Sequence, residues 1–167
     1  SGESCMYNVA IIGAGPAGIF SALEIVKLKP DWKVVLIEKG ERIEDRKCLL
    51  REGYAKCPSC KKCGLLCGWG GAGAFSDGKL TLTPDVGGNL VDYMSRKDVE
   101  DLIDYADNLY LKFGATKEVF GTDPKIFHEI ERKAALAELK LVHSPVRHLG
   151  TERSLDVLKN MQDYLSE

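Results

Sequence analysis

The stretch Tyr7-Asn8-Val9-Ala10-Ile11-Ile12-Gly13-Ala14-Gly15-Pro16-Ala17-Gly18 decides the fold of this chain. An apolar run that ends in G-x-G-x-x-G reads as a buried parallel strand turning sharply into a helix. The free N–H groups and positive dipole end of such a helix suit a pyrophosphate. Each glycine has its own task in that reading. Gly13 permits the tight turn, Gly15 lets the backbone approach phosphates with no Cβ between, and Gly18 lets the helix lie close on the strand. Ala14, Pro16 and Ala17 complete the loop that would hold a cofactor.

Working outward, Glu38 stands twenty residues after Gly18, at the end of the second apolar run Val34-Val35-Leu36-Ile37. A carboxylate there could accept hydrogen bonds from the 2′- and 3′-hydroxyls of an adenosine ribose. The same charge would repel a 2′-phosphate, so NADP is disfavoured at this site. Strand, glycine turn, helix and acid together predict an α/β fold with a Rossmann-like FAD/NAD(P)-binding βαβ unit over residues 1–54. The competing explanation for the glycines is close packing alone.

The helix is expected from about Pro16 to Lys29, since a proline in the first turn gives up no needed N–H. Ala17, Phe20, Leu23 and Val26 are expected to face inward, with Ser21, Glu24 and Lys27 in solvent. Pro30 and Asp31 end it, and the uninterrupted apolar run at Val34–Ile37 suits an interior parallel strand. Beyond Gly40 the chain turns highly charged, and Arg42, Arg46 and Arg51 become candidate phosphate or ribose contacts. A solvated helix face explains each of them equally well.

Length and charge narrow the class. With 167 residues the chain can bury a core of single-domain size, although flavin and nicotinamide enzymes usually need more. A formal net charge of −2 and the absence of a Lys/Arg cluster argue against nucleic acid. Ser4 to Leu23 carries no charge, but Ser4, Asn8, the glycines and Pro16 make it a poor membrane span. Only Ser1 to Met6 precedes the first strand, too little for a signal peptide, so the cytoplasm and reduced thiols are expected.

Residues 55–90 form a Cys/Gly-rich loop. Cys57, Cys60, Cys63 and Cys67 have the spacing C-x2-C-x2-C-x3-C of the bacterial iron–sulfur run. Four close thiolates can hold a [4Fe–4S] cluster or zinc. Gly68 stands where the ferredoxin run has proline, no second cysteine run exists, and structural zinc sites prefer two separated C-x-x-C arms. Metal binding and free or redox-active thiols therefore both remain open. Cys5 and Cys48 read as ordinary residues.

Directly after the cysteines runs Gly68-Trp69-Gly70-Gly71-Ala72-Gly73-Ala74-Phe75-Ser76-Asp77-Gly78-Lys79-Leu80. So many glycines suggest a backbone held close to something flat or anionic, because each otherwise costs chain entropy. Trp69 and Phe75 argue against a purely solvated hinge.

The fingerprint, Glu38-Lys39-Gly40, the cysteine loop and above all Cys67 to Leu80 resemble the N-terminal part of the uncharacterised FAD-dependent dehydrogenases. These are NAD(P)/FAD-dependent oxidoreductases of the glutathione-reductase-like flavoprotein fold, and the likeness runs along nearly the whole chain. It implies FAD as cofactor, with Gly13, Ala14, Gly15, Pro16, Ala17 and Gly18 at the pyrophosphate and Glu38 at the adenosine ribose, Lys39 and Arg46 being nearby cofactor contacts. It places Gly70, Gly71 and Ala74 towards the flavin. Members are considerably longer, so the likeness implies a partial FAD-binding domain over residues 1–167, with NAD(P)H a candidate co-substrate.

Residues 91–167 read as a helical region. Ser95 with Asp98 makes a capping-box-like start for a helix whose core face is Val99, Leu102, Ile103, Ala106, Leu109 and Phe113. Asp123-Pro124 opens another, with Ile126, Phe127, Ile130, Ala134 and Ala137 inward. Leu139 to Val146 is expected to be extended, and Thr151 to cap a last helix bearing Leu155, Leu158, Met161 and Leu165. A βαβ unit needs a third parallel strand, and none is evident after that helix. The sheet is thus expected to be incomplete, filled by the segment around Leu141 or left with apolar edges that favour a homo-oligomer.

His128, His143 and His148 lack metal-ligand spacing, and no Ser/His/Asp set or carboxylate pair is visible, so no catalytic residue is assigned. The leading expectation is an FAD-dependent oxidoreductase, or its FAD-binding portion, acting on an unidentified small molecule without a membrane or nucleic-acid partner. The alternatives are an NAD-dependent dehydrogenase fragment and a cysteine-cluster module holding zinc or iron–sulfur without flavin.

Overall fold

The computed structural model of the chain describes residues 6–166; Cys5 lies outside them. The chain is mixed α/β and divides into two compact units, one reaching Phe75 and resuming at Leu155, the other Ser76–Ser154.

In the first unit, β1 (Val9–Ile12) and β2 (Val34–Ile37) pair in parallel, Val9 opposite Val34 and Ile12 opposite Ile37. A parallel pair needs a crossover, and α1 (Pro16–Leu28) supplies it. Asn8 sets the register: its side-chain oxygen accepts from the Lys33 N–H at 2.8 Å while its own N–H donates to the Lys33 carbonyl at 2.8 Å. The helix buries Ile19, Ala22 and Leu23. That face differs from the expected set, in which Ala17 is exposed and Phe20 and Val26 only half-buried. The reason is angular. A step of three residues falls about 60° short of a full turn, so Ala17 and Val26 end on opposite sides, whereas 19, 22 and 23 stay together.

The continuous apolar runs do not become fully buried strands. Ile12 is 77% exposed and Ile37 52% exposed. Among the described residues this sheet has only β1 and β2, and the segment around Leu141 does not join it. The charged stretch after Gly40 forms only a 3-10 turn at Ile43–Asp45, not a helix face.

In the second unit, β3 (Lys79–Thr81) pairs antiparallel with β4 (Val146–His148), Leu80 opposite Arg147. The predicted extended segment thus enters a ladder only at its final residue. Helix α2 (Arg96–Lys112) begins as its sequence requires, with the Ser95 hydroxyl accepting from the Asp98 N–H at 3.1 Å. It buries Val99, and Phe113 beyond its end is also buried, but Leu102 is 51% exposed. Helix α3 (Pro124–Leu136) is capped by Asp123, whose carboxylate accepts from the Lys125 N–H at 2.8 Å. Its apolar stripe is not a core face. Ile126 and Ile130 are exposed, and only Phe127 and Ala134 are half-buried. Amphipathicity specifies which face is apolar, but not that another element covers it.

Helix α4 (Gly150–Ser166) starts one residue before the expected cap, so Thr151 lies inside its first turn. Val157, Leu158 and Met161 are buried as an apolar face, and Gln162 is buried with them. Within the described residues, no helix is long and apolar enough to cross a membrane.

Candidate functional site

The β1–α1 turn separates the three glycines by physical cause. Gly13 has φ +96°, in the left-handed region that glycine adopts without strain. A Cβ on Gly18 would lie 1.9 Å from the Gly13 carbonyl oxygen, so the helix can start here only without a side chain. Gly15 is different. It caps α1 with an ordinary φ of −78°, and a Cβ there would meet no atom within 4 Å. Neither conformation nor packing within the protein accounts for that glycine. Ala14 beside it is fully buried, whereas Pro16 and Ala17 are exposed at the helix start.

Glu38 gathers the backbone around this turn. Its Oε2 accepts from the Ala14 N–H at 2.8 Å, and Oε1 accepts from Gly40 at 2.8 Å and Gly68 at 2.9 Å. Burial raises the carboxyl pKa, but the amides of Ala14, Gly40, Gly68 and Lys39 outweigh it and hold the group below its usual range. A carboxylate offers about four acceptor positions, so these contacts leave little of Glu38 for another donor. Lys39 itself points into solvent.

Gly68–Gly71 lies on the same turn. The Gly70 N–H donates to the Ala14 carbonyl at 2.8 Å, and a Cβ on Gly71 would come within 3.2 Å of Gly15 Cα. Gly40 fits against the Cys67–Gly68 peptide, where a Cβ would lie 2.1 Å from the Gly68 nitrogen. Gly70 packs against Leu158 and the buried Ala74. Trp69 is buried, and its indole N–H donates to the Leu158 carbonyl at 2.8 Å. The fold therefore assembles Gly13, Gly15, Gly18, Glu38, Gly70 and Gly71 in one place.

The three candidate arginines separate. Arg42 is exposed and pairs with Glu44 at 3.1 Å. Arg51 is exposed, with its guanidinium 4.6 Å from the Phe75 ring centroid. Arg46 is only 6% exposed. Its Nε donates to the Gly64 carbonyl at 3.0 Å, Nη1 to Trp69 at 2.6 Å and Gly71 at 2.8 Å, and Nη2 to Leu65 at 2.8 Å. Burial pushes its pKa down, against Glu38, Cys67 and Cys63, which favour the charged form. The solvated-face alternative thus fails for Arg46, whose guanidinium is turned to main-chain carbonyls.

The four cysteines of the loop form no disulfide among the described residues, Cys57 and Cys60 exposed and Cys63 and Cys67 half-buried. The Cys67 N–H closes one turn on the Cys63 carbonyl at 2.8 Å. Among the described residues, no group of three or more His, Cys, Asp or Glu side chains is placed to hold a metal ion. His128 is exposed beside Glu131, His143 contacts the Gly121 carbonyl and His148 meets Phe120 edge-on, all short of a ligand cluster.

A cavity of about 670 Å³ is lined by residues that include Ala22, Val26, Val34, Leu36, Glu38 and Trp69. Gln162, which sequence reasoning passed over, also lines it. Its Oε1 accepts from the buried Ile43 N–H at 3.0 Å, and its Nε2 donates to Glu44 at 2.7 Å. The available signal was one polar residue on an otherwise apolar helical stripe with Leu158, Met161 and Leu165.

No protein-family model matches the chain. Over 79 residues it is 38% identical to an uncharacterized protein of Clostridium beijerinckii, a match that covers 47% of this chain and 14% of that protein. The chain thus matches only a small part of the length of this curated relative.

Proposed function

We propose that this chain supplies the Rossmann-like dinucleotide-binding part of an FAD-dependent oxidoreductase, using NAD(P)H or another donor and a small-molecule substrate of unidentified class. The observation that carries this reading is Gly15, a helix-capping glycine with an ordinary φ and open space where its Cβ would be. A ligand that must approach the backbone closely accounts for that glycine, and the N-terminus of α1 favours an anionic one. Gly13 to Gly18 would hold the pyrophosphate, and Gly70 and Gly71 would extend the cradle towards the flavin. Glu38 shapes the turn through three amides and has limited capacity left for ribose. Bound flavin would supply hydride or electron transfer; the chain's own part is binding and orientation.

Absorption between 300 and 600 nm with and without added FAD, after gel filtration, tests the assignment, with iron and zinc analysis alongside. A retained flavin band is expected. Gly15→Ala should weaken FAD binding at least tenfold while changing thermal stability little, because the added methyl meets no protein atom. Equal FAD affinity in the two proteins would remove the central support, and retention of NAD in place of FAD would select the dehydrogenase alternative.

A further inference from the structure

We propose that Arg46 is the positioning residue of this site: its guanidinium holds the Gly64–Gly71 segment by four main-chain carbonyls and thereby presents Gly68, Gly70 and Gly71 to the Gly13–Gly18 turn. The inference rests on reading that turn as the cofactor site. An arginine carries five N–H donors, and four are engaged by Gly64, Leu65, Trp69 and Gly71. Only one N–H on Nη2 remains, too few for the two parallel bonds of a bidentate phosphate grip. Burial at 6% exposure also keeps the group away from a ligand in solvent.

The carbonyls lie on both sides of Gly68, so the guanidinium closes the segment into a fixed shape. In that shape the Gly68 N–H reaches Glu38 at 2.9 Å and the Gly70 N–H reaches Ala14 at 2.8 Å. A Cβ on Gly68 would meet Arg46 Cδ at 2.7 Å, so the arginine stem and the glycine are mutually fitted. The Phe75 ring, 4.8 Å from the guanidinium carbon, anchors the other end of the glycine run. A lysine carries its three donors on one atom and cannot span carbonyls distributed in this way.

The full chain is compared with Arg46→Lys and Arg46→Ala in a Trp32→Phe background, which leaves Trp69 as the tryptophan reporter. Without nucleotide, Arg46→Lys should shift Trp69 emission to the red. It should also remove the hydrogen-exchange protection of the Gly68 and Gly70 amides, while the Ile19 and Val99 amides stay protected. FAD affinity should fall at least tenfold, and methylguanidinium added to Arg46→Ala should restore emission and affinity together. Lysine sustaining the emission, the amide protection and the affinity would overturn the proposal. So would an affinity loss with Trp69 and both amides unmoved, which would make Arg46 a direct phosphate contact. If the parent protein takes up no FAD, the cofactor reading fails by itself, and the nucleotide-free emission and exchange still decide whether Arg46 holds the segment.

Discussion

Among the described residues each unit has one buried arginine, and the two are satisfied in different ways. Arg147 in the second unit meets a carboxylate: Nε to Asp107 Oδ1 at 2.6 Å and Nη2 to Oδ2 at 2.7 Å, with the Thr116 carbonyl at 2.5 Å from Nη1. The hydrogen bonds to Asp107 raise its pKa. Arg46 in the first unit donates its hydrogen bonds to main-chain carbonyls, with no carboxylate among them, and burial pushes its pKa down. A carboxylate partner neutralises a charge and ties two side chains, whereas a ring of carbonyls leaves the charge in place and shapes a loop. The comparison teaches that a buried arginine can be a cross-brace in one setting and a template for backbone conformation in another.

The strongest way to break the comparison is to remove the brace. Arg147→Met leaves the half-buried Asp107 without its partner and should cost about 3 kcal/mol, the low end for a buried pair, read by urea denaturation. A loss below 1 kcal/mol would show that the second unit does not depend on the pair. Next in size, Glu38→Gln tests how far the first unit relies on a carboxylate collecting backbone donors. Its amide group keeps one acceptor oxygen for three N–H groups, so a loss of about 1–3 kcal/mol is expected, together with loss of Gly68 amide protection. Unchanged exchange at Gly68 would remove Glu38 from that role.

Acidification sharpens the same contrast. The folded Glu38 pKa lies below its ordinary 4.5, so its contribution is complete above pH 4.5 and disappears as pH falls through the lower folded value. Glu44 follows the same sign, its pKa held down to about 2 chiefly by a backbone hydrogen bond and then by Gln162. Partial solvent exposure of Glu44 makes its share small. Trp69 emission is therefore expected to change below pH 4.5, and a spectrum constant down to pH 2 would contradict this assignment. The smallest effect belongs to the caps of the second unit: Ser95→Ala and Asp123→Ala should each cost about 1 kcal/mol in thermal unfolding. Equal stability of either variant would show that its cap hydrogen bond contributes nothing net.

Local features were legible because their causes are local. Pro16 after a glycine turn, Ser95 three residues before Asp98, and Asp123 before Pro124 mark helix starts that the structure reproduces. The parallel βαβ unit followed from two apolar runs separated by one helix. What each helix buries was less legible. The α1 face moved from 17/20/23/26 to 19/22/23, and the α3 stripe has little cover among the described residues. Pattern within one helix contains no information about its neighbours.

By itself, the sequence determined the glycine turn, the strand-helix-strand order and the helix caps, since φ limits, hydrogen-bond donors and apolar periodicity act within a few residues. The tertiary structure alone decided that Glu38 binds three amides, that Arg46 closes on four carbonyls, and that β4 pairs with β3. Those outcomes depend on which distant backbone groups remain unpaired after the chain has folded, and spacing along a sequence does not encode separation in space.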